Sequence, residues 1–450
     1  MANLKLPERF RLFAPWERTV DRVLTPLEAF IHSQTAAAMA LMSMTLVALF
    51  LANFAWSGGY HHFFEQKLTL ALGPWSVSMS LHHWINDALM AFFFFLIGLE
   101  IKRELLAGEL SNLRAAMLPV VAAIGGMVVP ALIYVAINWD QPTINGWGIP
   151  MATDIAFAIS ALVLLGSRVA PGLVTFLIAL AIVDDLGAVA VIALFYTDTI
   201  NVGALLSAFA VWGVLWLFNL AGIYRVLPYA VGGILMWSFM LASGVHATIA
   251  GVLTALAIPA RPKINPQYFD DVVHGLLEKF RKHPNQNTIF LSEDQKGVIL
   301  SVEEAAVGVQ PPSMRLEHSL HLPVALLVIP LFALANAGIE ISARDLAEVF
   351  SHPVSLGIIV GLVVGKTIGV AGTAWLATKL GIASLPSGAR PSQLIGIGLL
   401  AGIGFTMSIF IAELAWPGQT ELLVQAKMGI FMASLIAGVS GYIWLRWVAR

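Results

Sequence analysis

Apolar runs of about 17–25 residues recur along this chain, each ended by a short polar or Gly/Pro-containing stretch, and about 20 such residues cross a hydrocarbon core as one helix. They fall near 33–55, 84–105, 114–137, 145–165, 172–196 and 202–221, and then near 227–243, 245–260, 321–339, 355–377, 392–414 and 422–445. The pattern predicts about twelve membrane-spanning helices in an all-α polytopic protein, with both termini on one side. The division between 243 and 245 is the least defined, because SGVH reads equally as a tight hairpin or as a break in one longer segment.

Basic residues orient this ladder. Lys5, Arg9, Arg11, Arg18 and Arg22 crowd the first 30 residues and mark that end as cytoplasmic by the positive-inside rule. Of the 25 Lys and Arg residues, only Lys67 and Arg344 fall on segments placed outside, and Lys366 and Lys427 fall within spans. The chain thus divides into a cytoplasmic segment (1–30), spans one to eight (31–260), a cytoplasmic loop (261–317) and four final spans (318–450). Between the first two spans, 65–81 alternates Leu68 and Leu70 against Val77 and Met79 around Gly73-Pro74, which predicts a short external β-hairpin. In the loop, Val272, Val273, Leu276, Leu277 and Phe280 share one helical face, with acids at the start and bases at the end, which predicts one amphipathic helix.

Composition agrees with a membrane protein. Hydrophobic residues make up 58% of the chain and charged residues 12%, about half the usual soluble content, and mean hydropathy is +0.82. A net charge of −2 without a basic block gives no sign of a nucleic-acid partner. The absence of Cys excludes disulfides, thiolate catalysis and Cys-ligated metals. No apolar stretch with a small-residue cleavage site follows the charged N-terminal segment, so no cleavable signal peptide is expected.

Against so apolar a background, a few charges stand out. Asp184 and Asp185 lie side by side in the middle of TFLIALAIVDDLGAVAVIALF. One ionised carboxylate at the bilayer centre costs roughly 2.5–3.5 kcal/mol on insertion scales, so a cation, a proton or a buried Lys must offset the pair. Lys366, in GIIVGLVVGKTIGVAG, is too deep to snorkel and must lose its proton or find a carboxylate. Asp154 follows Thr153 near Pro150 in PMATDIAFAIS, a plausible interruption of a helix. Gly402 and Gly404 weaken the span LAGIGFTMSIF, either as a second break or as close helix packing. A broken helix exposes N–H groups at one half and C=O groups at the other, suiting a carboxylate such as Asp154 and an ammonium such as Lys366. Lys427, nearer a span end, reads as structural. Adjacent residues point about 100° apart, so Asp184 and Asp185 cannot meet one partner identically, and the spacing leaves open which one meets Lys366.

In order along the chain, ATDIAFAIS, FLIALAIVDDLGAV, SGVHATIAGV, RLEHSLH, VGKTIG and AGIGFTMSIF resemble the NhaA-type bacterial sodium/proton antiporters, from about Thr35 to Arg446. The resemblance implies inverted repeats with two crossed discontinuous helices, the spans bearing Asp154 and Gly402–Gly404. It implies Asp185 as the principal ligand for Na+ or Li+, Asp184 and Thr153 beside it, and Lys366 paired with an acid, most often Asp184. Asp154 with Thr153 would stabilise the crossing. Two protons would enter for each Na+ or Li+ leaving, across a bacterial inner membrane, electrogenically and with no cofactor beyond the transported ions.

The same resemblance implies a pH-responsive cytoplasmic mouth at Glu100, Glu104, Glu317, His318 and His321, where solvated charges at helix ends are the plain alternative. His246 reads as a packing histidine. The hairpin at 65–81 is similar to the family's dimer contact, which implies a homodimer in the lipid bilayer. Thr367 stands where relatives are expected to carry Pro, and the 261–317 loop is longer than in the shortest members. From the residues alone, a carboxylate site alternately holding protons and a hard cation points to cation/proton antiport, which the resemblance makes Na+/H+ antiport for sodium and pH homeostasis. Two rivals are a sodium/solute symporter of the same fold, which needs a roomy substrate pocket, and an intramembrane aspartyl protease, whose GxGD pattern is absent.

Overall fold

The run that carries the paired aspartates forms one unbroken 25-residue helix, Pro171–Phe195, started by Pro at its first position and apolar around its whole circumference. A helix apolar on every side belongs in lipid or in the core of a bundle. A computed structural model describes residues 34–54, 57–72, 75–197, 200–282, 291–342 and 347–448. The N-terminal segment 1–30 with its basic residues, Arg344, and the Gly73-Pro74 turn lie outside the described residues.

In order, the helices are α1 (Gln34–Asn53), α2 (Ser57–Glu65), α3 (Leu81–Ala107), α4 (Leu113–Ile137), α5a (Pro142–Met151, wound as a 3-10 helix) and α5b (Ile155–Val163). Then come α6 (Pro171–Phe195), α7 (Val202–Leu220), α8 (Val226–Ser243), α9 (Ile249–Ala257), α10 (Pro266–Lys282) and α11 (Glu293–Val309). The last are α12 (Pro312–Asn336), α13 (Pro353–Lys379), α14a (Pro391–Ala401), α14b (Phe405–Ala415) and α15 (Thr420–Val448).

Among the described residues, nine helices are long and apolar enough to cross a membrane, and two bent pairs, α5a–α5b at 41° and α14a–α14b at 48°, bring the number to eleven. The segment 245–260 departs from the full span expected there, the eighth in order. Its helix α9 has nine residues and rises about 13 Å, less than half of a roughly 30 Å hydrocarbon core. It leans on α3, where Gly251 lets the Ala91 carbonyl approach a position that a Cβ would occupy.

Outside the bundle, β1 (Lys67–Leu72) and β2 (Trp75–Ser80) pair antiparallel, with Lys67 opposite Ser80 and Leu70 opposite Val77. Among its described residues, segment 261–317 holds two helices before α12 begins, where the apolar face over 272–280 alone suggested one. The second, α11, begins with a capping box between Ser292 and Gln295 and packs on α10, and Pro312 already starts the next long helix.

What positions the centre is the closeness of α4, α6 and α13. A Cβ on Gly369 would lie 2.2 Å from the Gly125 carbonyl oxygen, so α4 and α13 touch backbone to backbone, the use of small residues typical between membrane helices. Lys366 sits on that seam between two π-helical turns, Gly361–Gly365 and Ile368–Gly372. Next to it, Thr367 keeps the helix continuous and returns its hydroxyl to the Val363 carbonyl at 2.6 Å.

Candidate functional site

The two bent helices meet at their breaks, which hold each other. Asp154 N–H donates to the Ile403 carbonyl at 2.6 Å, and the Ser408 hydroxyl donates to the Ile149 carbonyl at 2.9 Å. Glycine at 402 is required by approach as well as by the bend, since a Cβ there would lie 2.3 Å from the Leu362 carbonyl oxygen of α13.

Asp154 is the N-cap of α5b. Its Oδ1 accepts from Phe157 N–H at 3.2 Å, while its Oδ2 accepts from both the backbone N–H and the hydroxyl of Thr406, in the first turn of α14b. One carboxylate therefore satisfies the positive ends of two half-helices, an arrangement worth about 0.3–1 kcal/mol per end at exposed sites and up to about 2 when partly buried. The opposite polarity appears at Met151, the C-terminal residue of α5a, whose carbonyl accepts from Lys366 Nζ.

The same ammonium donates to Asp184 Oδ2. The Thr153 hydroxyl lies 2.6 Å from that oxygen and 2.8 Å from the Ala401 carbonyl, and with one proton it serves one acceptor at a time. Lys366 and Thr153 are fully buried, and Asp154, Asp184 and Asp185 are no more than 3% exposed. Two oxygens in this region are buried without a hydrogen-bond partner, Asp184 Oδ1 and Asp185 Oδ1. Thr153, Asp154, Asp184, Asp185 and Lys366 thus stand together, and the choice the spacing left open falls on Asp184 as the partner of Lys366.

A match to the Na+/H+ antiporter 1 family covers residues 28–445. The chain belongs to that family. It is 57% identical to the Na(+)/H(+) antiporter NhaA of Sulfurimonas denitrificans over 98% of this chain and 99% of the relative. It is also 49% identical to Na(+)/H(+) antiporter NhaA 1 of Saccharophagus degradans, over 96% and 93%, and 47% identical to the NhaA of Dichelobacter nodosus, over 96% and 94%. These relatives are named as transporters, not enzymes, and the aspartyl-protease reading falls with them.

Within this family member, the residues expected to sense pH divide into two sets. Glu104 and Glu317 share Arg103, which pairs with Glu317 across to α12 and with Glu104 at 3.0 Å. Glu100 is half-buried one turn earlier on α3, within electrostatic reach of Glu317 and Asp185. His318 and His321 are exposed on α12 and take no part in the ion pairs of Arg103. A cavity of about 460 Å³ opens beside Arg103 and Glu104 and reaches Ile178 and Ala179 of α6, about 8–9 Å along the helix from Asp184.

Sequence reasoning missed four side chains. Thr406 lies inside AGIGFTMSIF, two residues after Gly404 of the break, which was signal enough. Arg103 and Lys102 sat unused between the two glutamates of GLEIKREL. Lys102 closes the C-terminal end of α9 by donating to the carbonyls of Leu256, at 2.6 Å, and Ile258. Glu413, the only acid in the span 392–414, pairs with Lys427 at 2.6 Å.

Proposed function

We propose that this chain exchanges cytoplasmic Na+ or Li+ for external protons, with Asp185 as the principal ligand and Asp184 and Thr153 beside it. The observation that carries the reading is two adjacent buried carboxylates, each with an unpartnered oxygen, of which a lysine binds only one. Alkali cations take oxygen ligands, and carboxylate, hydroxyl and helix-end carbonyl oxygens all converge here.

Counting charges gives the coupling. With Lys366 protonated on ionised Asp184 and a proton on Asp185, the group is neutral. When Na+ lies between two ionised carboxylates it competes with the ammonium for Asp184, and Lys366 released from that partner gives up a proton in an apolar surrounding. Entry of Na+ then expels one proton from Asp185 and one from Lys366, and the group gains one net negative charge. Two protons for one Na+, electrogenic exchange and drive by the proton-motive force follow from that count. Crossed helix breaks, with Asp154 tying α5b to α14b, supply a joint at which the site turns from one face to the other. The two broken helices are the discontinuous pair of an inverted-repeat architecture of about twelve helical segments, the short α9 among them.

The cavity beside Arg103 is the cytoplasmic entrance in this reading. The cluster of Glu100, Glu104 and Glu317 around Arg103, flanked by His318 and His321, makes that entrance pH-responsive. The excess of Lys and Arg in segments read from the sequence as cytoplasmic supports both termini in the cytoplasm of a bacterial cell, with the protein in the inner membrane. Exposed Leu68 and Leu70 on the hairpin supply the contact of a homodimer.

The test is proton-gradient dequenching in everted vesicles. Asp185→Asn is expected to abolish the Na+-driven signal at an unchanged amount of protein in the membrane, and full activity of that variant would refute the ligand assignment. Proton release on adding Na+ alone, without an organic solute, separates antiport from symport.

A further inference from the structure

A second set of buried charges lies apart from the cation site, at the end of the molecule that carries the hairpin. Glu413 near the end of α14b and Lys427 of α15 form an ion pair with side chains only 11% and 10% exposed. His82, at the start of α3, lies within electrostatic reach of both. The ring is held by Asn336, the fully buried last residue of α12.

Hydrogen bonding fixes the protonation pattern of that contact. Asn336 Nδ2 donates to the Phe332 carbonyl at 2.9 Å, and a carbonyl only accepts, so the amide has one possible orientation. Its Oδ1 then accepts from Asn86 Nδ2 at 3.2 Å and faces His82 Nε2 at 3.0 Å. Nε2 must carry a hydrogen, which leaves Nδ1 as the atom where the ring gains charge. The charged and titratable groups facing Glu413 are Lys427, His82 and His83, and those facing His82 are Glu413, Lys427 and His83.

One short helix joins this cluster to the cation site. Thr406 at its beginning holds Asp154, and Glu413 follows seven residues later, about 10 Å along the axis. α14b therefore has a polar anchor at each end. We propose that the Glu413–Lys427 pair positions α14b for ion exchange and that His82 makes this positioning responsive to the external pH. A proton arriving at His82 Nδ1 places a second cation beside Glu413 and loosens its hold on Lys427, freeing α14b to move against α15. The inference rests on the outward orientation of this end proposed above.

The experiment measures exchange in right-side-out and everted vesicles while pH is varied on one face at a time. His82→Gln keeps an amide donor toward Asn336 and cannot gain charge, so the dependence of Na+ KM on external pH is expected to flatten. Glu413→Gln is expected to raise KM about fivefold or more, with the change falling on KM rather than on maximal rate, and the exchanged pair Glu413→Lys with Lys427→Glu to recover it. A wild-type pH profile on both faces in His82→Gln, or an unchanged KM in Glu413→Gln, overturns the proposal. An effect confined to the inner-face pH overturns the orientation instead. Should Glu413→Gln fail to accumulate, the His82→Gln profile and the exchanged pair decide alone.

Discussion

Replacing Lys366 with Met strands two acceptors at the centre of the bundle. Asp184 Oδ2 loses its ammonium and keeps only the Thr153 hydroxyl, itself shared with the Ala401 carbonyl, while the Met151 carbonyl loses its side-chain donor. A charge-assisted hydrogen bond contributes about 1.5–3 kcal/mol, and a buried acceptor left unsatisfied costs about 1–3. Lys366→Met should therefore destabilise the folded protein by about 3–5 kcal/mol, the usual cost of removing one side of a buried pair. Asp184→Asn strands the lysine instead and should cost a similar amount. The double variant removes both charges and should lie closer to the wild type than either single one, because desolvating two ions offsets much of what their attraction returns. Denaturation of the purified protein in mixed micelles measures all four corners of the cycle. Strictly additive single effects would refute direct coupling between these two side chains and with it the charge count behind the exchange.

Other consequences of the geometry are open to simpler tests. Thr406→Val deletes the hydroxyl that binds Asp154 Oδ2 while leaving the backbone donor, so Na+ KM should rise roughly tenfold, as the loss of one charge-assisted bond implies, and vesicle exchange reads it. Gly369→Val forces a side chain into the Gly125 backbone, whereas an added Cβ at Gly372 finds only Ile368 Cγ2 at 4.0 Å; membrane yield should collapse in the first and survive in Gly372→Ala. Lys102→Met leaves the carbonyls of Leu256 and Ile258 without their ammonium, a loss of about 1–3 kcal/mol that should appear as faster hydrogen exchange over α9. Replacing 67–80 with a short Gly/Ser linker should yield a monomer by light scattering that still exchanges ions.

Charge in an apolar chain is conspicuous, which is why Asp154, Asp184, Asp185 and Lys366 were legible before any fold. The two helix breaks were legible in part, since Pro150 with Thr153-Asp154, and Gly402 with Gly404, weaken their spans, although Pro119 and Pro130 lie inside the unbroken α4. Partner choice was not legible. Thr406 meets Asp154 across 252 positions of sequence, and no periodicity reports which polar residue faces a break on another span. The helix α9 failed as a full span because hydropathy counts apolar residues and does not register that Ser243, Gly244 and the turn after them delay the helix until Ile249. The second helix of the loop did leave a mark, Ser292 followed three residues later by Gln295, but its weak apolar pattern hid behind the clearer face of α10.

Three acids and one lysine share the centre, and how each acid is satisfied separates structure from exchange. Asp154 receives one hydroxyl and, from two helix starts, backbone N–H groups that cannot leave without unwinding a helix. Asp184 receives the lysine and a hydroxyl, partners on flexible side chains, and retains one bare oxygen. Asp185 turns about 100° away from its neighbour on the same helix; it lies within electrostatic reach of Lys366 without an ion pair to it, and its Oδ1 is buried and bare. In the exchange proposed above, fixed partners suit a carboxylate that ties two helix breaks together, a mobile partner suits one that gives and takes a proton, and an unfilled position suits one that meets an ion from solution. The adjacency that first looked like needless repulsion is what allows one helix to present two carboxylates to different neighbours at a single depth.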